Sequence, residues 1–194
     1  MPKVGMEPMR RSALVEATIS EIGRAGSLDV TVSQIAKKAG VSSGLAHHYF
    51  GSKDQIFLAA MRHILVVFGA EVRGALLMAE TPSDRLQAII RSCFSAQNFR
   101  PEVVSAWLSF YVLAQQSDEA KRLLRIYHKR LNSNLIYALN ALSVPNGQEV
   151  ADTIAALIDG LYIRQALQRD EADAQRAVSL ISAYVSQALE GQTR

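Results

Sequence analysis

Between Thr31 and Lys53 the chain gathers side chains that hydrogen-bond and carry charge, without any covalent machinery. Hydroxyls stand at Thr31, Ser33, Ser42 and Ser43, imidazoles at His47 and His48, a phenol at Tyr49, and ammonium groups at Lys37, Lys38 and Lys53. Such groups bond to phosphate oxygens and base edges, the contacts that position and then specify a protein on nucleic acid. The intervening Gly40-Val41-Ser42 offers a left-handed turn, an apolar plug and a helix cap. Two short helices about that turn make a helix-turn-helix, and Ala36 is small enough for them to cross closely. The second helix would present Ser43, Gly44, His47, His48 and Tyr49 to a groove. Thr31, Ser33, Lys37, Lys38 and Lys53 lie where phosphates run, and Ser42 caps the helix so that its free N–H groups face one. The competing reading is a solvated hairpin with a few lysines.

A second set of residues is aromatic. Trp107, Phe110 and Tyr111 stand at i, i+3 and i+4, one face of a helix. Phe94, Tyr127 and Tyr162 come from other segments, and Asp152 and Asp159 sit among apolar neighbours. Rings with a carboxylate form a cage for a quaternary ammonium ion, which has no N–H to donate, at about 0.5–2 kcal/mol per ring. Plain core packing is the alternative for each ring.

Other chemistries are poorly supplied. His47 and His48 are adjacent, so they point about 100° apart on a helix and cannot share a metal, while His63 and His128 stand alone. Cys93 is the one cysteine, set among Ile89, Ile90 and Phe94, which excludes an internal disulfide and suggests a small buried hydrophobe. No Gly-x-Ser-x-Gly elbow or phosphate-binding glycine loop occurs, so neither an enzyme nor a cofactor is expected. The start of the chain lacks a signal-peptide pattern and no uncharged run suits a bilayer, which predicts a soluble cytoplasmic protein without a membrane partner. The net charge of +3 resides wholly in residues 1–62, where eight basic groups meet five acidic ones. That asymmetry suits a polyanion.

The elements that must position these groups read as helices throughout, at about 9–25, 31–39, 43–49, 53–78, 82–98, 101–116, 118–142, 148–168 and 170–190. The fold class is therefore all-α, with a DNA-binding domain over residues 1–52 and a helical ligand-binding and dimerisation domain over 53–194. Broad apolar faces run along the last two helices, Ile154, Leu157, Ile158 and Leu161, then Val178, Ile181 and Val185, open to packing within one subunit or against a second copy.

The run Ala39-Gly40-Val41-Ser42-Ser43-Gly44-Leu45-Ala46-His47-His48-Tyr49-Phe50-Gly51-Ser52-Lys53-Asp54-Gln55-Ile56 resembles the signature of TetR-family repressors, and Leu14, Ala17, Gly26 and Ile35-Ala36 extend the likeness. Ser43 stands where the family usually has lysine, and His47 where it usually has tyrosine. Met1-Pro2-Lys3-Val4-Gly5-Met6 with Arg10-Arg11, and Ala156-Leu157-Ile158-Asp159-Gly160-Leu161-Tyr162-Ile163-Arg164, resemble the choline-responsive BetI-type branch. The resemblance implies a TetR-like fold, a homodimer paired through the apolar faces of the last two helices on a palindromic double-stranded operator, and choline as the inducing ligand of a repressor of glycine betaine synthesis genes. A regulator of multidrug efflux is the alternative within the family. Lys3, Arg10 and Arg11 are candidates to reach a minor groove, or to form a solvated tail.

Overall fold

Caps written into the sequence set most of the helix boundaries. The computed structural model describes residues 5–168 and 173–190, so Lys3 and the outer parts of both termini lie outside the described residues. Helix α1 spans Met6–Ala25 and ends on Gly26 in the left-handed region. Helix α2, Val32–Lys38, opens with a capping box in which Thr31 accepts from the Gln34 N–H and Gln34 reaches back to the Thr31 N–H. Helix α3, Ser43–Phe50, is capped by Ser42, which accepts from the Leu45 N–H. Between them Gly40 takes φ 69° while its N–H reaches the Lys37 carbonyl and that of Val41 the Ala36 carbonyl. This Schellman closure turns the chain sharply enough to swing α3 across α2.

Helix α4 runs Lys53–Leu77 behind a Ser52 cap. Its length and composition would suffice to cross a bilayer, but Ile56, Phe57, Leu58, Ala60, Met61, Ile64 and Val72 are buried in the protein core. The remainder comprises α5 (Pro82–Cys93), α6 (Pro101–Gln116), α7 (Asp118–Ala141), α8 (Gly147–Leu167) and α9 (Ala174–Glu190). No strand occurs among the described residues.

The helix expected to reach Asn98 stops at Cys93, and residues 94–100 form a turn. Its stop signal is tertiary. The Tyr162 hydroxyl donates to the Cys93 carbonyl, with that of Asn98 3.2 Å away, while the Asn98 amide donates to the Ser92 carbonyl at 2.9 Å and to Glu71 at 2.7 Å. Distant side chains hold the last carbonyls that another helical turn would have used.

The body is built around α8, which packs on α6, α7 and α9. This arrangement corrects the expected dimer surface. Ile154, Ile158, Ile181 and Val185 are at most 3% exposed within one protomer, because α8 and α9 spend their i, i+4 stripes on each other and on α6 and α7. Leu157, Leu161 and Val178 are only partly buried, and Leu167 and Leu180 are exposed.

The N-terminal head, α1–α3, is not held to the body by α4 alone. Helix α1 packs along α6, and at Gly23 the helices come so close that a Cβ would lie 2.5 Å from Glu102 Cα. Alanine ordinarily favours a helix over glycine by about 1 kcal/mol. Here its methyl would press on backbone, and overpacking of this kind costs about 1–3 kcal/mol. Gly23→Ala is therefore expected to lower the stability measured by urea denaturation; an unchanged or raised value would contradict this close approach.

Candidate nucleic-acid interface and ligand site

The first site grows from α2 and α3. Thr31, Ser33, Lys37, Lys38, Ser42, Gly44, His47 and His48 are exposed, and Ser43, Tyr49 and Lys53 are half-buried beside them. Ser33 and Ser43 share a hydroxyl–hydroxyl hydrogen bond of 3.0 Å that ties the two helices at their outer edge. His47 Nδ1 lies 3.2 Å from the Gly51 carbonyl. A neutral ring bonded in that way donates through Nδ1 and leaves Nε2 as an outward acceptor. Lys53 Nζ sits 5.3 Å from the Phe57 ring centre, which steers the ammonium group.

Arg11, expected either to reach a minor groove or to lie in a solvated tail, is an internal brace here. Its guanidinium donates to the Tyr49 carbonyl at 2.7 Å and lies 4.6 Å from the Phe50 ring centre, fixing α3 to α1. Arg24 is likewise occupied, holding the nearly buried Glu21 at 2.8 Å and below the usual carboxylate range. Arg62 pairs with Glu119 of α7. The positive charges of the head that remain without an ion-pair partner among the described residues are Arg10, Lys37, Lys38 and Lys53. Lys37 and Lys38 stand in the last turn of α2, one helix before the exposed face of α3.

The second site lies where α6, α7 and α8 meet. The Trp107 ring is 4.9 Å from that of Tyr127, 6.0 Å from Tyr111 and 6.4 Å from Tyr162. Phe94 and Phe99 back Tyr162 at 5.8 and 5.1 Å, and Phe68 of α4 meets Tyr127 edge-on at 5.5 Å. Tyr111 donates its hydroxyl to Asp159 at 2.8 Å. Burial pushes the Asp159 carboxyl above its ordinary value, against the opposing pull of the Tyr111 hydrogen bond and of His128. Burial likewise raises the phenols of Tyr111, Tyr127 and Tyr162 and the Cys93 thiol, so none of them ionises near neutrality. His128 Nε2 is buried without a hydrogen-bond partner, 3.7 Å from the second Asp159 oxygen.

Six of the eight expected ligand residues therefore share one cluster: Trp107, Tyr111, Asp159, Tyr162, Phe94 and Tyr127. Asp152 does not join them. It is exposed and accepts from Asn132 at 2.6 Å and from Gln148 at 3.1 Å, because it sits two turns nearer the start of α8, where antiparallel α7 offers an amide rather than a ring. Phe110 is fully buried but outside the ring cluster, about 60° around α6 from Trp107 on the side away from Tyr111. Phe68, Phe99 and His128 are additions. Phe68 continues the Ile64–Val72 stripe and His128 adjoins Tyr127, so both had a signal, whereas Phe99 arrives only through the turn after α5.

Comparison with known proteins bears on both sites. A model of bacterial regulatory proteins of the tetR family matches residues 14–60, and one of the BetI-type transcriptional repressor C-terminal region matches residues 82–190. The HTH-type transcriptional regulator BetI of Brucella melitensis is 54% identical over 193 residues, spanning 99% of this chain and 98% of its own. The Rhizobium meliloti regulator of the same name is 49% identical over 187 residues, with 96% and 92% covered. Among solved structures, a transcriptional regulator from Saccharomonospora viridis in complex with choline superposes with a TM-score of 0.82 at 20% identity, covering 91% of this chain and 95% of that one, a likeness of fold.

The raised Asp159 carboxyl gives a pH signature. Folding favours its protonated form, so its contribution to stability is greatest below the unfolded pKa and is lost as pH rises through the folded one. Asp159→Asn should remove that component. The difference in unfolding free energy between variant and wild type should shift in favour of the variant as pH rises through the weakly acid range; a flat difference would deny the burial effect.

Proposed function

The chain belongs to the TetR family of helix-turn-helix transcriptional regulators, in its BetI-type repressor branch, and from that premise we propose that it represses genes of choline-to-glycine-betaine synthesis and transport, with choline as the inducer. The observation that carries this reading is the ring cluster of Trp107, Tyr111, Tyr127 and Tyr162 beside Asp159. Ring faces and a carboxylate favour a trimethylammonium group, and the unpartnered His128 Nε2 next to Asp159 is suited to the choline hydroxyl.

Residues 1–52 act as the reading head and 53–194 as the ligand and dimer body of a homodimer in the bacterial cytoplasm. The dimer contact uses the outward sides of α8 and α9, among them Leu157, Leu161 and Val178, with Leu167 and Leu180. Two heads then meet the half-sites of a palindromic operator, α3 in the major groove and Lys37, Lys38 and Lys53 on phosphates. The rings touch one another, so a cation enters only by parting α6 from α7 and α8. Because α6 carries α1 along with it, ligand favours a head separation that no longer spans both half-sites.

Gel shifts on the upstream region of the repressed genes are expected to lose affinity steeply with salt, and Lys37→Ala to lower the slope of log K against log salt by about 1. Choline should release the operator. Trp107→Leu keeps the volume apolar but lacks the ring, and should weaken choline in calorimetry by about 2- to 30-fold. The neutral isostere 3,3-dimethylbutanol should bind far more weakly than choline. Equal affinity for the two compounds, or for wild type and variant, would sink the cage reading, and release by many bulky cations alike would point to an efflux regulator.

A further inference from the structure

A sizeable cavity lies beside the ring cluster rather than within it. A cleft of about 670 Å3 opens between α4, α5 and α7, with Leu65, Phe68, Val72, Ile89, Leu123 and Leu131 among its apolar walls. Arg62, Arg73, Lys129 and Arg130 also line it, with no carboxylate on its walls among the described residues. Arg62 is balanced by Glu119, whereas Arg73, Lys129 and Arg130 have no ion-pair partner among the described residues. The Arg73 guanidinium folds back along α4 over Gly69, within 3.4 Å of where a Cβ there would stand, and lines the cleft. At the mouth, Val66 is 65% and Ile126 38% exposed.

This is the reverse of what a quaternary ammonium ion needs. Four cations repel it, while an apolar chain gains by burial against the walls and an anionic head finds forked donors. We propose that the cleft is a second effector site, separate from the ring cluster, that takes a medium-chain carboxylate with its chain between α4 and α7 and its head group on Arg73 and Arg130.

Occupancy reaches the operator by a short route. Near the head, α4 is tied to α7 through Glu119, which accepts from Arg62 and from Gln55 at 3.3 Å. A chain inserted between these helices strains that tie. Tyr127 walls both sites, touching Trp107 on one side and lining the cleft on the other, so each ligand alters the surface offered to its neighbour. The site depends on the repressor function but not on choline being the inducer.

The test is calorimetry on the full chain with decanoate, decanol and decyltrimethylammonium as probes, each below its micelle concentration. Decanoate is expected to bind at least tenfold tighter than either of the others. The double variant Arg73→Gln/Arg130→Gln should lose about tenfold or more in decanoate affinity while its thermal unfolding matches wild type. Val66→Trp, at an exposed position, should block the mouth without disturbing the core. Saturating choline should shift decanoate affinity without abolishing binding. Equal binding of all three probes, no decanoate binding, an unaffected well-folded double variant, or full exclusion by choline would each overturn the proposal. Should choline itself fail to bind, decanoate binding that depends on Arg73 and Arg130 would still uphold it.

Discussion

The close approach of α1 to α6 at Gly23 is the contact on which the rest of this molecule depends. It leaves no space for a side chain, so the head cannot be carried loosely. Glu16 of α1 reinforces the seam, meeting His63 of α4 at 2.9 Å and Arg100, just before α6, at 3.6 Å. Trp107 follows Glu102 by five residues, about 7.5 Å along the same helix. One rod thus touches the reading head near its start and carries the ring cluster a turn or so later. In a close-packed interior such a rod shifts as a unit instead of absorbing strain locally.

Within the head the same economy holds. Arg11 and Arg24 look like DNA contacts by composition, yet they brace α3 and neutralise Glu21. The electrostatic footprint is accordingly narrower than the count of basic residues suggests. Among the described residues it comes down to Arg10 on α1, Lys37 and Lys38 at the end of α2 and Lys53 at the start of α4, while α3 itself carries no lysine or arginine. Under the proposed function, those charges draw the protein to a polyanion and the exposed face of α3 is left to discriminate.

The helix-turn-helix was legible residue by residue because its determinants are local: a capping box at Thr31, a cap at Ser42 and a positive φ at Gly40. The ring cluster was legible in part, since Trp107 and Tyr111 share a helical face. Long-range geometry was not. The stop at Cys93 depends on Tyr162 and Asn98, which no pattern within the segment reveals. Periodicity marks α8 and α9 as apolar, but it cannot say whether a face meets a neighbour in the same chain or a second copy, and Ile154, Ile158, Ile181 and Val185 are buried within one protomer. Asp152 and Asp159 look alike in sequence, seven residues apart on one face. Only the antiparallel partner helix separates them, by setting Asn132 against one and a ring cluster with His128 against the other.

The chain has one tryptophan, and it stands at the centre of the ring cluster. Its ultraviolet emission therefore originates from a single point in the body, flanked by Tyr111, Tyr127 and Tyr162 and only 6% exposed. Light absorbed by those phenols passes to the indole at van der Waals range. The protein thus contains its own optical gauge, whose colour and intensity register any opening of the three-helix junction to water, without a label and in the presence of DNA.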